Sequence, residues 1–409
     1  MSFSDSSVRR DRNLHSHIVI NGAGIAGLTA ALCLARARFS VEVHEKAEGF
    51  DALGAGIQIS PNAYSVLDRI GLGRELRECA SNPDGIIIHS ARTGKTITTI
   101  PLGLDAIKRY GFPYLALHRA DLQQLLFRSC NENDNIQLFF SSQVVDFEPH
   151  RNGITGQVSS NSTLTEQQAK AIILADGVHS ALRTKRLGLA EPVFQKKIAW
   201  RALVPMSEVP EELKGNNTHL WLGNKAHAVA YPVRNADWLN VVAITPAENS
   251  DMAYNVSKQA IANRFRKWNA AFQALFDTRA GWTGWPINET PKPTMLHTGP
   301  VAIIGDAAHT MLPFAAQGAA MAIEDAGVLA DCLGHTADTE TALQRFEHAR
   351  LNRVARVIDL ARQNERIYHL GGMAALARNL VMKHTPPEKL LKRQDWVYGW
   401  RVDQGNDRR

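Results

Sequence analysis

Residues 17–47, HIVINGAGIAGLTAALCLARARFSVEVHEKA, decide the fold of this chain. A short β-branched strand leads into a glycine-rich turn, an alanine- and leucine-rich helix follows, and a second strand ends at Glu45. A strand, a glycine turn, a helix and a second strand in this order make the βαβ unit that opens a doubly wound sheet. The stretch therefore predicts an α/β fold with a parallel sheet.

The glycine turn carries a nucleotide-binding pattern. Gly22, Gly24 and Gly27 form GxGxxG with Ala26 inside it. Glycine at these positions lets a pyrophosphate lie against backbone amides at a helix N-terminus. Glu45 ends the next strand, where a carboxylate accepts both ribose hydroxyl groups and repels a 2′-phosphate. The alternative is a plain glycine turn with a chance acidic residue, and the strand-turn-helix context disfavours it.

Length and composition limit the class of protein. The chain has 409 residues, more than the roughly 250 to 300 at which single cores stop growing, so two domains or one composite unit are expected. It is 44% hydrophobic and 21% charged, as in an ordinary soluble enzyme, and no run approaches the roughly 20 apolar residues of a membrane-spanning helix. The formal net charge of +6 is dispersed, which argues against a nucleic-acid or lipid surface. It indicates either a solvated basic surface or an attraction for small anionic ligands.

The cysteines and the first residues bear on location. The chain begins MSFSDSSVRRDRNLHSH, in which Asp5 and Asp11 and the lack of an apolar face favour a disordered lead-in over a transit peptide. We expect no metal site. The cysteines are far apart and form no CxxC pair, which predicts reduced thiols in a cytoplasmic protein: Cys33, Cys79, Cys130 and Cys332.

Two later segments repeat the pattern of an apolar strand that ends in an acidic turn. ILADGVHSALR, residues 173–183, contains Asp176, and IIGDAAH, residues 303–309, contains Asp306. Each alone is only a turn signal. With the glycine motif, in this order and at this separation, they resemble the signature of the p-hydroxybenzoate hydroxylase-like family of FAD-dependent aromatic monooxygenases. The resemblance extends from residue 17 to about residue 372.

This resemblance implies a non-covalently bound FAD and assigns residues to its dinucleotide end. Residues 22–27 hold the pyrophosphate, with Ala26 among them. Glu45 binds the adenosine ribose, and Lys46 beside it belongs to the same cofactor-binding set. Asp306 binds the ribityl chain through a hydroxyl group.

The resemblance also implies residues near the isoalloxazine ring. Arg119 in LHRADL and Gln58 in GAGIQISPNA approach the cofactor; 6-hydroxynicotinate enzymes carry a histidine at the position of Gln58. In PFAAQGAAMAIEDA, small residues leave room for a flat ring, and the amides of Gly318 and Ala319 at a helix start can stabilise the anionic reduced flavin. There is one GxGxxG, so NADH or NADPH must visit without its own Rossmann domain, and the family implies that Asp176 and a mobile flavin admit it.

The segment WLGNKAHAVAYPVR places His227 and Tyr231 four residues apart on a predicted strand, hence on one face of a sheet. It is similar to the salicylate hydroxylase and 6-hydroxynicotinate 3-monooxygenase branch, in which a histidine and a tyrosine line the substrate pocket. A phenolate is a better nucleophile than a phenol, so either residue has a role in removing the substrate's hydroxyl proton. Both residues could instead be packing groups between sheet and helices.

Five further positions complete the set of singled-out residues. Arg201 in WRALVP could pair with a substrate carboxylate or be a sheet-surface arginine. Pro313, in the loop beside the flavin ring, is assigned to the substrate site. His309 is interpreted as a structural histidine at a helix entry rather than a base. Trp282 and Trp285 are expected in the core or at an interface.

The whole chain is predicted to be α/β, with a Rossmann-like FAD-binding domain, an inserted mostly antiparallel β-sheet substrate domain and a C-terminal helical region. Short alternating segments between residues 199 and 245 predict the inserted sheet, and a helix is expected over residues 257–276. The predicted division is 17–80, 111–190 and 291–340 for the FAD-binding domain, 81–110 and 191–290 for the substrate domain, and 341–409 for the helical region.

The predicted function is that of a single-component monooxygenase. It uses NAD(P)H and O2 to hydroxylate a hydroxylated aromatic or N-heteroaromatic carboxylate through a flavin C4a-hydroperoxide. An epoxidase or antibiotic-modifying hydroxylase of the same fold is one alternative. A flavin-binding sensor or scaffold without turnover is another. The predicted partners are small molecules and a second copy of the chain in a homodimer, with neither nucleic acid nor membrane.

Overall fold

The protein is described by a computed structural model covering residues 16–50 and 56–402, so most of the predicted lead-in lies outside the described residues. The strands, in chain order, are β1 His17–Asn21, β2 Ser40–His44, β3 Gly56–Ile59, β4 Gly85–Ser90, β5 Thr96–Pro101, β6 Leu115–His118, β7 Ile136–Phe139, β8 Ser142–His150, β9 Gly153–Ser160, β10 Thr163–Ala169, β11 Ala171–Leu174, β12 Val193–Pro205, β13 Asn217–Gly223, β14 Ala226–Val233, β15 Trp238–Pro246, β16 Trp282–Glu289, β17 His297–Thr298 and β18 Val301–Ile303.

The helices alternate with these strands in the first half of the chain and dominate its end. They are α1 Ile25–Arg36, α2 Pro61–Arg69, α3 Gly73–Cys79, α4 Gly103–Tyr110, α5 Arg119–Asn131, α6 Ala181–Lys185, α7 Lys258–Arg264, α8 Ala270–Gln273, α9 Asp306–His309, α10 Gly318–His335, α11 Thr339–Tyr368, α12 Gly372–His384, α13 Pro387–Lys392 and α14 Asp395–Tyr398.

A six-stranded sheet in the order β17-β18-β11-β1-β2-β7 forms the first layer, and every pairing in it except β17 with β18 is parallel. All residues of β1 are buried, because α1 and α5 pack against the sheet and the strands β8, β9 and β10 also contact it. Asn21 pairs with Leu174, and Leu174 with Ile303, so β1, β11 and β18 end side by side. The three predicted acidic or glycine turns therefore meet at one sheet edge.

A seven-stranded sheet in the order β16-β12-β15-β14-β13-β4-β5 forms the second layer. Only the pairing of β13 with β4 is parallel among its described strands, so the predicted mostly antiparallel sheet is confirmed. One face packs an aromatic core on α7 and α8: Trp200, Trp221, Phe265 and Phe272. The other face turns towards α9 and α10. The strands of this sheet come from residues 85–101 and 193–289, and the domain boundaries stay a prediction.

One local prediction was wrong. The helix expected over residues 257–276 is broken, because Asn269 accepts a hydrogen bond from the Phe272 amide at 3.1 Å and starts a new helix. Trp282 is buried as predicted, and Trp285 is 50% exposed on the edge strand β16, which leaves only the interface alternative of its prediction.

The helical end of the chain and the thiols agree with the sequence analysis. Helices α10 and α11 pack against one another, and α11 runs for 30 residues. Within the described ranges, none of the helices combines the length and apolar character that crossing a membrane requires. All four cysteines are free thiols.

Candidate active site

The turn after β1 is built on close backbone approaches. Gly22 has a φ of +107°, and a Cβ there would lie 2.5 Å from the Ala175 carbonyl oxygen. A Cβ on Gly27 would lie 1.9 Å from the Gly22 carbonyl oxygen. Any side chain at either position would push the first helix away from the ends of β1 and β11. The glycines therefore bring the α1 N-terminus against the sheet edge.

Two helices begin at this edge without side-chain caps. Gly24 precedes α1, Gln317 precedes α10, and neither helix has an acidic residue in its first turn. Their first-turn amides therefore lack side-chain partners, and the positive ends of both helix dipoles stay uncompensated. A Cβ added to Gly24 or Gly318 would meet no atom within 4 Å. The space before both helix starts suits an anionic ligand that approaches the backbone closely.

A cavity of about 340 Å³ lies between these helix starts and the second sheet. We call it the inner cavity. Apolar side chains of β14, β15 and the loop before α10 make much of its wall, including Val229, Val242, Ile244 and Leu312. It brings together most of the predicted site residues: Gly24, Ala26, Gln58, Arg119, Arg201, His227, Tyr231, Asp306, Pro313, Gly318 and Ala319.

A second cavity of about 500 Å³, the outer cavity, shares part of this wall. Gly24, Arg119, Arg201, Asp306 and Pro313 line both cavities. The outer cavity is also lined by Glu45 after β2, Gln123 of α5 and Trp285 of β16. The two cavities together offer space for a ligand longer than a single ring system.

Glu45 is held at its strand end by the backbone. Its carboxylate accepts hydrogen bonds from the amides of Ala23 at 2.8 Å and Ala47 at 3.0 Å. Each carboxylate oxygen keeps a further lone pair for a ligand hydroxyl group. Lys46 is exposed and lines neither cavity. The structure thus orients Glu45 towards the outer cavity and leaves Lys46 on the surface.

One carboxylate oxygen of Asp176 lacks a hydrogen-bond partner among the described residues. Its Oδ2 accepts from Asn21 Nδ2 at 3.2 Å, but its Oδ1 is buried and has no hydrogen-bond partner among the described residues. Burial raises the pKa of Asp176, and the nearby Ser180 hydroxyl group opposes the rise. A buried carboxylate oxygen without a partner is costly, so a bound ligand or water beside it is expected. Ala175 and Gly177, on either side of Asp176, line the inner cavity.

Asp306 begins α9 with its side chain exposed at both cavities. The preceding Gly305 has a φ of +60°, and a Cβ there would lie 2.9 Å from the Ala26 side chain. The Gly305 amide and His309 Nε2 both contact Asp325 Oδ2, at 3.0 Å and 2.6 Å. His309 is fully buried in this contact, which agrees with its interpretation as a structural histidine.

A buried charge network behind the α10 start was missed by the sequence analysis. Glu324 and Asp325 have no exposed surface, and Arg350 of α11 binds them at 2.6 Å and 2.8 Å. Burial opposes the ionisation of Glu324, but Arg353 and Arg350 outweigh it and lower its pKa. Glu324 also accepts from Asn62, which binds Gln317. A Glu-Asp pair inside an apolar helix was the available signal, since buried acids need partners.

Arg201 lies on the cavity face of β12. Its guanidinium stacks over the Trp285 ring at 5.3 Å, and its buried Nε has no partner among the described residues. Burial lowers the pKa of Arg201, the nearby Tyr231 opposes this, and Arg119 adds to the lowering. Arg201 is therefore no exposed sheet-surface arginine. It presents a largely desolvated cation with a free donor to both cavities.

His227 and Tyr231 share one face of β14, as predicted, and both line the inner cavity. Each is 4% exposed. Burial raises the pKa of Tyr231, and the Arg201 charge opposes the rise. Burial lowers the pKa of His227 well below its usual range, and His369 adds to the effect. At neutral pH the wall thus holds a neutral imidazole and a phenolic hydroxyl group.

Both residues also pack against neighbours. The His227 ring lies 5.0 Å from the Phe314 ring, and Tyr231 packs among Ala116 and Val233. Gln58 lies across the cavity wall on β3, where its Oε1 accepts from Tyr114 Oη at 2.7 Å. Packing and cavity lining therefore coexist at this wall.

The geometry fits an adenine dinucleotide that carries a flat ring. Two uncapped helix starts and the carboxylates at the ends of β2 and β18 border the two cavities, and the glycine turn and the unpartnered Asp176 oxygen adjoin residues that line them. These are the donor and acceptor types that the pyrophosphate, the sugar hydroxyl groups and the ring of FAD require.

Comparison with known proteins leads to the same cofactor. A family model described as FAD binding domain matches residues 15–361. The chain is 33% identical to 3-hydroxybenzoate 6-hydroxylase 1 of Aquipseudomonas alcaligenes over 94% of this chain and 98% of that protein. It is 33% identical to 6-hydroxynicotinate 3-monooxygenase of Pseudomonas fluorescens over 85% and 90%. The crystal structure of Klebsiella pneumoniae HpxO with FAD and uric acid superposes with a TM-score of 0.82 at 25% identity, covering 93% of this chain and 95% of that chain.

Proposed function

Since the chain belongs to the FAD binding domain family, we propose that it is a single-component FAD-dependent monooxygenase that hydroxylates a hydroxylated aromatic carboxylate. When bound, FAD accepts a hydride from NAD(P)H and activates O2 for transfer to the ring. The protein binds, orients and deprotonates the substrate beside it. One observation carries this proposal: Arg201, His227 and Tyr231 line the same cavity.

Each of these groups suits one part of a phenolic acid. Arg201 can bind the carboxylate with a charge-assisted hydrogen bond, since its Nε donor has no other partner among the described residues. Neutral His227 can accept the phenolic proton, and the Tyr231 hydroxyl group can donate to the phenolate that results. The apolar wall excludes water around them.

The cofactor contacts are proposed from the same geometry. Glu45 would hold the adenosine ribose, Asp306 the ribityl chain, and the amides of Gly318 and Ala319 the pyrimidine side of the ring. The lining of both cavities by Asp306 and Gly24 supports a cofactor that spans them. Asp176, with its unpartnered oxygen, supports a contact with the cofactor or with the visiting nicotinamide nucleotide.

We propose a monohydroxylated benzoate as the substrate, in line with the 3-hydroxybenzoate relative. A phenolate directs an electrophilic oxygen to the positions ortho and para to it, so a dihydroxylated benzoate is the expected product. Gln58 supports a benzoate over a hydroxynicotinate, because the family resemblance implies a histidine at this position in 6-hydroxynicotinate enzymes. The cytoplasmic location and the homodimer stay predictions.

A turnover assay with a panel of ring acids tests this function. The FAD-loaded protein is given NADH or NADPH with 2-, 3- or 4-hydroxybenzoate, 6-hydroxynicotinate or benzoate, under ¹⁸O2. We expect fast NAD(P)H oxidation only with a phenolic acid, and one ¹⁸O atom in its product. Oxygen transfer only to substrates without a hydroxyl group would favour an epoxidase of the same fold. A protein that binds FAD but oxidises NAD(P)H with none of them would be a sensor or scaffold, and the proposal would be wrong.

A further inference from the structure

A second histidine, His369, lies within hydrogen-bond distance of His227. The Nδ1 atom of His227 lies 2.9 Å from Nε2 of His369, although 142 residues separate them in the sequence. His227 is buried on β14, whereas His369 caps the C-terminus of α11 and is partly exposed. The contact therefore joins the wall of the inner cavity to the C-terminus of α11. The function proposed above gives no role to His369.

Charged groups surround His369 on three elements. Glu365 of α11 forms an ion pair with Lys197 of β12 at 2.6 Å, and Arg378 of α12 donates to the Tyr368 carbonyl at 3.1 Å. Burial lowers the pKa of His369 to about 4, Glu365 opposes this, and Lys197 and Arg378 add to it. His369 is consequently neutral at neutral pH, as His227 is.

Two neutral imidazoles that share one hydrogen bond have only two proton arrangements. In the first, His227 Nδ1–H donates to His369, and Nε2 of His227 is an acceptor. In the second, His369 Nε2–H donates to His227, and Nε2 of His227 carries a proton. Only the first arrangement lets His227 act as a base towards the inner cavity, because only there does Nε2 keep its lone pair.

We propose that His369 is a positioning residue, which accepts the Nδ1 proton of His227 and so keeps Nε2 free to take the substrate's hydroxyl proton. This inference rests on the function proposed above. In the step, the substrate O–H bond breaks, an N–H bond forms at Nε2, and the Nδ1–H of the resulting imidazolium stays hydrogen-bonded to His369. His369 touches neither substrate nor cofactor, and it acts only through His227.

Two substitutions separate this role from packing. His369→Phe keeps a ring beside Phe314, whose ring lies 5.6 Å away, but removes the acceptor. His369→Gln keeps a side-chain oxygen that can accept the Nδ1 proton. We expect His369→Phe to slow oxygen transfer to the substrate about a hundredfold at neutral pH, the low end of the range for a lost proton transfer, and so to lower the product formed per NAD(P)H. His369→Gln should restore most of it. His384→Phe, at an exposed histidine of α12, is the matched control and should behave as the parent.

A second readout does not depend on turnover. Absorbance of the bound substrate gives the pH at which its hydroxyl group ionises in the complex, and ¹⁵N NMR gives the tautomer of His227. We expect His369→Phe to raise that ionisation pH and to lose the Nδ1–H form of His227, while substrate affinity stays at the parental value. His369→Gln should keep both properties.

The outcomes are distinguishable. If the parent protein hydroxylates no phenolic acid, the proposed function fails. If the parent turns over, and His369→Phe keeps its coupling, substrate ionisation and tautomer, the proposal for His369 is wrong. Equal losses in the Phe and Gln variants would also overturn it, since they would show a need for the ring itself rather than for an acceptor.

Discussion

Asp325 Oδ2 lies 2.6 Å from His309 Nε2, and both side chains are buried. The same oxygen accepts a hydrogen bond from the Gly305 amide, and the other carboxylate oxygen accepts one from Arg350 Nε at 2.8 Å. Burial opposes ionisation of Asp325, but His309 and Arg350 outweigh it and lower its pKa to about 2. One carboxylate therefore ties the turn that carries Asp306 to two helices.

Asp325→Asn should destabilise the protein and loosen the cofactor together. The change leaves the Gly305 turn and Arg350 with a neutral partner, and breaking a buried ion pair costs about 3 to 5 kcal/mol. Urea unfolding measures the loss, and a flavin titration measures the weaker FAD binding. Asp359→Asn is the control, because its ion pair with Lys292 at 2.7 Å is exposed and worth at most about 1 kcal/mol. Similar losses in both variants would contradict this account of the turn.

Asp306→Ala should weaken FAD binding without affecting the apoprotein. Its exposed side chain would lose a charge-assisted hydrogen bond of roughly 1.5 to 3 kcal/mol, or about ten- to over a hundredfold in affinity. Glu45→Ala should weaken FAD and also lower the melting temperature of the apoprotein, because Glu45 accepts two backbone amides. Flavin fluorescence and thermal unfolding give the two values. Parental FAD affinity in both variants would mean that the motifs are misassigned.

The sequence alone was enough to predict the sheet edge at which the candidate cofactor site lies. Each of its three turns is a local pattern of an apolar strand followed by glycine or an acidic residue, and parallel pairing puts their ends together. The interruption of the predicted helix at Asn269 also has a local signal, since asparagine favours helix N-caps. The apolar periodicity on both sides of Asn269 nevertheless favoured one continuous helix. Local signals thus predict elements well when one signal dominates.

Contacts between distant elements could not be predicted in the same way. Arg350 meets Asp325 only because α10 and α11 pack antiparallel, and His369 meets His227 only because α11 ends beside β14. No local pattern encodes either pairing. An acidic residue within an apolar segment predicts that it has a charged partner in the fold, but only the structure identifies that partner.

Arg201→Gln should weaken substrate binding and leave FAD binding unchanged. The loss of one charge-assisted hydrogen bond predicts an increase of about ten- to over a hundredfold in the substrate Kd. Arg201→Lys should recover little, because a lysine lacks the planar fork. Arg264→Gln is the control. Arg264 of α7 stacks on Trp200 at 5.3 Å, and the Trp200 side chain lies on the face of β12 opposite to Arg201. Equilibrium titration with hydroxybenzoate gives each Kd, and an unchanged Kd in Arg201→Gln would remove Arg201 from the substrate site.

Tyr231→Phe should uncouple the reaction. Burial keeps the pKa of Tyr231 above its usual range despite the Arg201 charge, so its hydroxyl group stays protonated and we expect it to donate a hydrogen bond to the substrate phenolate. Its loss should raise the ionisation pH of the bound phenol and slow oxygen transfer by about a hundredfold, while substrate-stimulated flavin reduction persists. Stopped-flow absorbance separates the two steps. Raising the pH should partly rescue the variant, and a parental rate at neutral pH would make Tyr231 a packing residue only.

The stability of the protein should fall in mild acid, and His219 should account for a measurable share. Its Nδ1 lies 3.0 Å from His89 Nε2, in a buried stack with Trp221. Burial, with help from His89, lowers the pKa of His219 to about 4 from 6.5. Between these values the unfolded chain binds a proton that the folded protein does not, so stability is full above pH 6.5 and is lost as the pH falls towards 4.

The size of that share follows from the same two pKa values. At about pH 5, one such histidine costs roughly 2 kcal/mol of unfolding free energy relative to neutral pH. His219→Gln should therefore reduce the pH-dependent loss by about this amount, even if the variant is less stable at every pH, because glutamine does not titrate. Urea unfolding at about pH 5 and pH 7.5 measures the difference, with His384→Gln as the exposed control. A pH dependence in His219→Gln equal to that of the parent would show that His219 is already protonated in the folded protein at pH 5.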